Sequence, residues 1–409
     1  MVKSYLRYSP TSTLGIIASA SANVLCIAPT SSSKTSRTLP TLAVVPALES
    51  IKVWNVKTSA LLTTLYDSPS TAEVTVLTHN HVRQDLIAAG YQDGTVRIWR
   101  LNEQWNQGEL VVTFNGHKSA VTQLCFDSQG NRLASGSRDT DVVLWDIVSE
   151  EGIARLRSHQ DQITGLHFLN PSNAADEESR TTGDYLLSAG KDGLIKLWDL
   201  STNFCTETHL AHRGETWALA VSPAQDIVVT AGPDGELKFW SVTLPISTDM
   251  DIDGAKMLSQ RGSISRANRD KPLSLKFHPS SKFLVVHSSN RNIEVFRIRT
   301  AEEIKKLLSR KRKRKSSKKD ATNGDHEEID ADDIANEIVA YTTIRASAKV
   351  TSVDWDTHVS SSSFQVYAKS SLLSSSSWYL STQMQFFSIA SHNLLPKPNL
   401  NQSSNLKLR

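Results

Sequence analysis

Aspartate and tryptophan recur along this chain at a fixed distance from one another. Four pairs are separated by six residues: Asp93 and Trp99, Asp139 and Trp145, Asp192 and Trp198, and Asp234 and Trp240. Carboxylates near a histidine can act as a general base pair or hold a metal ion. Alternatively, a buried indole N–H needs an acceptor and a buried carboxylate needs donors, so the same residues can satisfy each other structurally.

Three of these pairs have a histidine upstream, and the histidines decide between the two interpretations. His117 and His212 each lie 22 residues before their aspartate, whereas His159 lies 33 residues before Asp192. The 11 additional residues are assigned to the polar segment PSNAADEESRTTG at 171–183, which is rich in turn formers. Without them the histidines repeat every 42 residues. A period of 40 to 45 residues with short alternating strands ending in Trp-Asp predicts WD40 blades.

Repetition with the fold favours a structural role for these side chains, because ligands of a single site would converge from unrelated positions. We expect a His, a Ser or Thr of the neighbouring strand, the turn Asp and the Trp to hydrogen-bond inside each blade. The expected network comprises eleven residues: His117, Asp139, Trp145, His159, Asp192, Trp198, His212, Asp234, Trp240, Asp93 and Trp99. A metal-binding or general-base role for the histidines is the alternative.

The Trp-type strands predict an all-β, seven-bladed WD40 β-propeller. Their centres lie near residues 54, 99, 145, 198, 240, 296 and 387, and the copies at 54, 296 and 387 are the weaker ones. An open ring would expose unpaired backbone, so the strand TLGIIASA at 13–20 is expected to pair into an irregular last blade. A loose N-terminal arm is the alternative.

Composition shifts divide the chain into four parts. Residues 1–300 are predicted to hold blades one to six and the closing strand, and residues 301–340 a charged helical or disordered insertion. Residues 341–390 are predicted to form an irregular seventh blade, and 391–409 a disordered tail. Between Ser360 and Ser381, 11 of 22 residues are serine, which indicates either an irregular blade or an altered reading frame. Residues 244–270 are predicted to be a surface loop.

The insertion is strongly charged. It contains ten basic residues, namely Lys305, Lys306, Arg310, Lys311, Arg312, Lys313, Arg314, Lys315, Lys318 and Lys319. The acidic segment DHEEIDADD follows at 325–333. Such blocks cannot enter a core, and KRKRK is typical of nuclear import signals and phosphate contacts. A merely solvated helical extension is the alternative interpretation.

Other features of the sequence narrow the class of function. The net charge is only +3, and Cys26, Cys125 and Cys205 are too far apart to suggest a zinc site or a disulfide framework. The N-terminal residues lack the apolar core of a signal peptide, so an intracellular protein that does not bind membranes is expected. No G-x-S-x-G, phosphate-loop or H-E-x-x-H motif occurs. We therefore expect no enzymatic activity, cofactor, metal or small-molecule substrate.

Several phrases resemble one particular family of WD-repeat proteins. They are SYLRYSPTSTLGIIAS, ANVLCIA, VVTFNGHKSAVTQLCFDSQGNRLASGSRDTDVVLWDIV, SAGKDGLIKLWDL, AHRGETWALAVSP and the basic segment after IEVFRI. Across residues 3–356 the chain is similar to the N-terminal propeller of the U-three-protein-twelve family, and it departs from the family pattern near Thr357.

The resemblance implies a scaffold of the small-subunit processome. Members of this family belong to its UtpB subcomplex and carry a second propeller and a helical region. Expected partners are sister WD-repeat subunits, U-three small nucleolar RNA and pre-ribosomal RNA, with a role in 18S rRNA maturation in the nucleolus. A cullin-type ubiquitin ligase receptor is the alternative, although Val148 and Ser201 stand where such receptors carry arginine after the Trp-Asp pair.

Overall fold

The structure is a computed structural model, and it describes most of the chain between residues 10 and 389. The described residues are 10–16, 19, 23–27, 42–56, 58–67, 71–170, 185–244, 256–319, 334–345, 349–355, 364–371 and 382–389. The segment 171–183, the acidic segment 325–333 and the tail 391–409, all interpreted above, lie outside them.

Strand β1 (Pro10–Ile16) is followed by three sheets of four strands each. The first contains β2 (Leu25–Ile27), β3 (Leu42–Ala47), β4 (Ser50–Asn55) and β5 (Ala60–Leu65). The second contains β6 (Val74–His79), β7 (Leu86–Tyr91), β8 (Thr95–Leu101) and β9 (Gly108–Asn115). The third contains β10 (Val121–Phe126), β11 (Arg132–Ser137), β12 (Val142–Asp146) and β13 (Glu151–Leu156).

Three further sheets repeat the same order. The fourth contains β14 (Ile163–Leu169), β15 (Tyr185–Gly190), β16 (Leu194–Asp199) and β17 (Phe204–Leu210). The fifth contains β18 (Ala218–Val221), β19 (Ile227–Ala231), β20 (Glu236–Val242) and β21 (Leu258–Ser265). The sixth contains β22 (Pro272–Phe277), β23 (Phe283–Ser288), β24 (Asn292–Ile298) and β25 (Ile338–Arg345).

Every one of these six sheets is an antiparallel meander with the same local irregularity. The register between the third and fourth strands shifts just before the Trp position, for example between Leu144 and Trp145 in the third sheet. The same shift precedes Trp54, Trp99 and Phe296. A bulge of this kind increases the twist of a sheet, which suits sheets that must pack face to face around an axis.

Apolar clusters lie between consecutive sheets and hold them side by side. One cluster joins the second and third sheets and includes Val96, Val121 and Trp145, while another joins the third and fourth and includes Leu144 and Ile163. Burying an aliphatic side chain of this size contributes roughly 1.5 to 3 kcal/mol, so these interfaces provide the main stabilisation. Sheets in chain order that pack face to face form a β-propeller, which confirms the predicted all-β class.

A seventh four-stranded sheet combines the two ends of the described chain. Its order is β1, β28 (Thr382–Ile389), β27 (Phe364–Ser371) and β26 (Lys349–Trp355), and β1 pairs antiparallel with β28. Side chains are described for most of β26, where Val350, Val353 and Trp355 pack against the sixth sheet. The other three strands are described by their backbone pairing.

The charged insertion interrupts the sixth sheet, which corrects the predicted boundaries. Helix α1 (Ala301–Lys319) follows β24, and the short helix α2 (Ile334–Glu337) leads into β25. Strand β25 pairs with β24 along its whole length, so residues 338–345 complete the sixth sheet and the seventh begins only at β26. The prediction assigned residues 338–340 to the insertion and 341–345 to the seventh blade, because β25 has no Trp-Asp pattern of its own.

The expected surface loop at 244–270 is also partly wrong. Residues 258–265 form β21, the outer strand of the fifth sheet, and five of its eight residues are exposed. A solvent-exposed outer strand needs few apolar side chains, because most of its residues contact water. Its sequence is therefore as polar as that of a loop.

Candidate functional site

The third sheet brings four of the repeated polar residues into one hydrogen-bonded network. His117 Nδ1 lies 3.1 Å from Asp139 Oδ2, and His117 Nε2 lies 2.7 Å from Ser135 Oγ. Trp145 Nε1 donates to the same hydroxyl at 2.8 Å. With its proton on Nδ1, a neutral His117 donates to the carboxylate and accepts from Ser135, so every polar group is satisfied.

The turn between β11 and β12 positions Asp139. Backbone N–H groups of Lys118 and Asp141 donate to its carboxylate at 2.8 and 3.1 Å. Burial opposes ionisation of Asp139, but these hydrogen bonds and His117 outweigh burial and hold its pKa below the usual value. Burial lowers the pKa of His117 despite the attraction of Asp139. The pair is therefore an aspartate facing a neutral imidazole at neutral pH.

The fourth sheet repeats this arrangement. His159 Nδ1 lies 2.8 Å from Asp192 Oδ2, and His159 Nε2 lies 2.7 Å from Ser188 Oγ. Trp198 Nε1 donates to Ser188 Oγ at 2.8 Å.

In the fifth sheet a threonine takes the place of the serine. His212 Nδ1 lies 2.7 Å from Asp234 Oδ2, and Thr230 Oγ1 lies 3.1 Å from His212 Nε2. Trp240 Nε1 donates to Thr230 Oγ1 at 3.2 Å.

The second sheet does not form the network, contrary to expectation. Asp93 is exposed and accepts hydrogen bonds from the backbone and hydroxyl of Thr95, at 2.9 and 2.7 Å. Trp99 Nε1 has no hydrogen-bond partner among the described residues. The position ten residues before Trp99 is Ala89, which offers no hydroxyl, and no histidine precedes this sheet at the required distance. Asp93 and Trp99 therefore keep the spacing of the motif without its hydrogen bonds.

The networks offer no open site for chemistry. Both ring nitrogens of each histidine are engaged, and each network lies within its own sheet. Within the described part of the chain, no group of three or more His, Cys, Asp or Glu residues could hold a metal ion. What these groups can do is fix the turns at one end of the ring. That end, where the first strand of each sheet begins and the second and third strands are joined, is called the turn end below.

The sixth sheet contains a different buried pair at the turn end. Arg266 and Glu294 side chains are 0% and 4% exposed and approach to 4.0 Å. Arg266 Nη2 donates to Asn268 O at 2.9 Å, whereas Arg266 Nε and Glu294 Oε2, the two atoms of the ion pair, make no hydrogen bond among the described residues. Burial raises the pKa of Glu294 and lowers that of Arg266. This pair is less completely satisfied than the histidine networks.

Sequence reasoning missed the threonines that join one sheet to the next. Each lies in a first strand and donates across the interface: Thr75 to Val121 O at 2.6 Å, Thr122 to Ile163 O at 2.7 Å, and Thr164 to Thr216 O at 2.8 Å. A signal was present, because Val-Thr or Ile-Thr recurs at 74–75, 121–122 and 163–164.

A second group that the sequence did not predict joins the first, sixth and seventh sheets. Asp354 Oδ2 accepts from the backbone of Cys26 at 2.8 Å, and Asp354 Oδ1 accepts from Lys276 Nζ at 2.8 Å. Val24 N donates to Ser352 Oγ at 3.1 Å. Strand β26 is thereby bonded to the sheets on both of its sides. The partners in these contacts are more than 70 residues apart in sequence, so no local sequence pattern predicts them.

The basic segment forms most of helix α1, on the end of the ring opposite the turn end. Lys305, Lys306 and Arg310 are exposed, while Arg297 near the helix start pairs with Glu303 at 2.6 Å. The side chains of seven predicted residues lie outside the described ones: Lys311, Arg312, Lys313, Arg314, Lys315, Lys318 and Lys319. No helix within the described residues combines the length and apolar character that crossing a membrane requires.

Comparison with known proteins identifies the repeat type. Residues 41–242 match the family model of the WDR3 first beta-propeller domain. A chain in the crystal structure of a mitotic checkpoint complex superposes with a TM-score of 0.62 at 16% identity, covering 95% of this chain and 94% of that one. At that identity the likeness shows the fold alone. Nuclear distribution protein PAC1 of Arthroderma otae is 35% identical over 143 residues, which are 34% of this chain and 29% of that protein.

A much longer match extends over nearly the whole chain. U3 small nucleolar RNA-associated protein 12 of Saccharomyces cerevisiae is 36% identical over 388 residues, 90% of this chain and 37% of the yeast protein. The chain thus spans little more than a third of that relative's length. It belongs to the WD-repeat family of U3 small nucleolar RNA-associated protein 12.

Proposed function

We propose that this chain is a non-catalytic scaffold of small-subunit ribosome assembly that docks protein partners together with U3 small nucleolar RNA or pre-ribosomal RNA. One observation carries the proposal: 36% identity to the yeast U3 small nucleolar RNA-associated protein over 90% of the chain. Nuclear and nucleolar localisation and sister WD-repeat subunits as partners belong to the same proposal.

The geometry of the blades supports a docking role. The His, Asp and Trp side chains of the third to fifth sheets are committed to internal hydrogen bonds. Because the strands form the ring, the loops at its two ends remain available for recognition. Such loop surfaces suit the binding of macromolecules better than catalysis.

Helix α1 is the proposed RNA contact or nuclear import segment. Its described cations Lys305, Lys306 and Arg310 are exposed. The ion pair at the helix start joins Glu303 to Arg297, so it does not neutralise these three charges. Binding of RNA by such a segment releases counterions, so it should weaken steeply with salt.

The seventh sheet is proposed to be the blade that closes the ring, with β1 as its outer strand. Two observations support this: β1 pairs with β28, and Asp354 on β26 bonds to the first and sixth sheets. On this view the propeller comprises β1 to β28, and residues 301–337 form an insertion within its sixth blade.

Recovery of RNA with the tagged chain tests the proposal. We expect U3 small nucleolar RNA to be enriched over an unrelated small nuclear RNA when the chain is immunoprecipitated from nuclear extract. Absence of this enrichment would contradict the scaffold proposal.

Deletion of residues 305–319 tests the role of helix α1. We expect the deleted chain to lose nucleolar accumulation and U3 RNA. Adding a foreign import signal to the deleted chain separates the two roles, because recovery of RNA would assign the helix to import and continued loss would assign it to RNA contact. Unchanged localisation and unchanged RNA recovery would exclude both.

A further inference from the structure

The turn end of the ring carries two lysines against one tryptophan. Trp217 lies directly before β18, Lys191 directly after β15, and Lys271 directly before β22. Lys271 Nζ is 2.8 Å and Lys191 Nζ 4.5 Å from the centroid of the Trp217 ring. Three different sheets therefore contribute to one group, called the Trp217 cluster. An indole face attracts cations, which explains why both ammonium groups gather there.

The backbone holds the cluster in place. Each of its three members is tied to another segment: Trp217 N donates to Ala231 O at 2.9 Å, Lys191 N to Gln162 O at 2.9 Å, and Ser289 N to Lys271 O at 2.8 Å. A site whose members are already fixed loses little conformational entropy when a ligand binds.

The cluster has more positive than negative charge. Glu215 is its only described carboxylate partner, 3.7 Å from Lys191 Nζ, and its side chain is 44% exposed. Burial and the proximity of Lys191 lower the pKa of Lys271, whereas Glu215 raises it. An anion placed between the two ammonium groups would relieve their repulsion and find N–H donors from both.

The surroundings distinguish between two kinds of anion. Exposed Asp93 and Asp161 alternate with exposed Arg138 and Arg213 at the same end of the ring, so this surface lacks the continuous basic track that a phosphate backbone follows. Both ammonium groups also lie within 4.5 Å of the indole centroid, so a nucleobase that stacked on a face occupied by a lysine would have to displace that lysine. A short segment with one or two carboxylates avoids both problems.

We propose that the Trp217 cluster binds an acidic peptide segment of a partner protein, with a carboxylate held between Lys191 and Lys271. The inference deepens the docking function proposed above and rests on it. Recognition at this end of the ring is then separate from any RNA contact by helix α1 at the other end.

Fluorescence anisotropy with the full chain tests the site. The probe is a labelled ten-residue peptide of alternating Glu and Ser, compared with its Gln-Ser counterpart and with a labelled ten-nucleotide oligouridylate. We expect the acidic peptide to bind and the double variant Lys191→Gln, Lys271→Gln to weaken binding about tenfold. Trp217→Leu should weaken it about threefold, because the lysines lose their common support.

Lys282→Gln is the matched control, since Lys282 is an exposed lysine in the loop between β22 and β23 at the opposite end of the ring. Its affinity should stay within about twofold of the unaltered chain. Equal binding of the Glu and Gln peptides, or unchanged affinity in the double variant, would overturn the proposal. Binding of oligouridylate that depends on the two lysines, without peptide binding, would assign the site to RNA instead. A chain that enriches U3 RNA but binds no acidic peptide would remove this site and leave the scaffold proposal intact.

Discussion

The third and second blades have the same architecture and spacing, yet they satisfy their tryptophans differently. In the third blade Ser135 accepts from Trp145 and lies against His117, which in turn lies against Asp139. In the second blade Ala89 stands where the serine would be, and the indole N–H of Trp99 has no partner among the described residues. Both tryptophans are nonetheless nearly fully buried, at 5% and 3% exposure. Packing therefore builds a blade, and the polar network adds stability to a blade that packing has already defined.

The sixth blade extends this comparison. Phe296 replaces the tryptophan, so no indole N–H needs an acceptor, and Arg266 with Glu294 occupies the turn end instead. A buried ion pair is weak evidence for stability, because desolvation offsets much of its attraction. Variants that remove or add the serine-centred network show how much it contributes.

The largest expected effect is that of Trp145→Ala. It removes the ring that stacks on Phe114 at 4.8 Å and leaves Ser135 without its donor, so we expect a loss of roughly 3 to 5 kcal/mol in the free energy of unfolding. Urea denaturation measures it. Trp99→Ala is the control in the second blade and should cost about 1 kcal/mol less, because no hydrogen bond is broken. A loss below about 1 kcal/mol for Trp145→Ala would mean that the network and the packing are both unimportant.

Ser135→Ala removes the centre of the network and keeps the packing. His117 Nε2 and Trp145 Nε1 both lose their partner in a buried site, so we expect a loss of about 2 kcal/mol. Ser263→Ala, at an exposed position of β21, is the control and should change stability by less than about 0.5 kcal/mol. Equal stabilities of the two variants would show that the polar network adds nothing.

The pH dependence separates histidines with and without a carboxylate partner. His287 lies against Val350 O at 2.9 Å and Ser274 Oγ at 3.4 Å, and burial lowers its pKa to about 4. Between about pH 6.5 and pH 4 the His287 imidazole is therefore protonated in the unfolded chain and neutral in the folded chain. Stability should fall by up to about 1.4 kcal/mol per pH unit as pH drops from 6.5 toward 4 on account of this residue.

His287→Gln should make the chain less sensitive to acid, because glutamine can still donate to Val350 O but does not titrate. Unfolding in urea at pH 7, 6 and 5 provides the comparison. The same slope in both proteins would contradict the assignment of a neutral, buried imidazole.

The smallest expected effect is a gain of stability in the second blade. Ala89→Ser places a hydroxyl where Ser135 lies in the third blade, so Trp99 Nε1 gains an acceptor and stability should rise by about 0.5 to 1 kcal/mol. Ala88→Ser is the control, since Ala88 is equally buried but points to the other face of the strand. The hydroxyl of a serine at position 88 would be buried without an indole N–H to bond to, so this variant should be less stable than the unaltered chain. Thermal unfolding distinguishes the two, and a loss in both would show that the second blade cannot accommodate the network.

The 42-residue period predicted the propeller because it comes from local features: an alternating strand, a turn aspartate and a terminal tryptophan. His117 and Asp139 lie together as their spacing suggested. Asp93 and Trp99 show the limit of that reasoning, since a spacing specifies where a side chain points and not whether a partner exists there.

The sequence was less informative about the outer strands and the contacts between sheets. At least half of the residues of β21 and of β25 are exposed, and neither strand ends in tryptophan. In sequence β21 therefore resembled a loop, and β25 resembled the end of the insertion and the start of the following blade. Asp354 joins residues 78 and 328 positions away, and such pairs are created only when the ring forms. Helix α1 was anticipated as a charged segment, but its place within a blade depends on the pairing of β25.

The position of the insertion between β24 and β25 has a consequence for the durability of the ring. The two strands that border it are neighbours in one sheet, joined from Asn292↔Arg345 to Ile298↔Ile338. If a protease severed the backbone between residues 319 and 334, the two fragments would remain paired along this ladder, and the downstream fragment would still be anchored by Asp354 to Cys26 and Lys276. The charged segment can thus be cleaved by a protease, or lengthened in evolution, without opening the propeller ring.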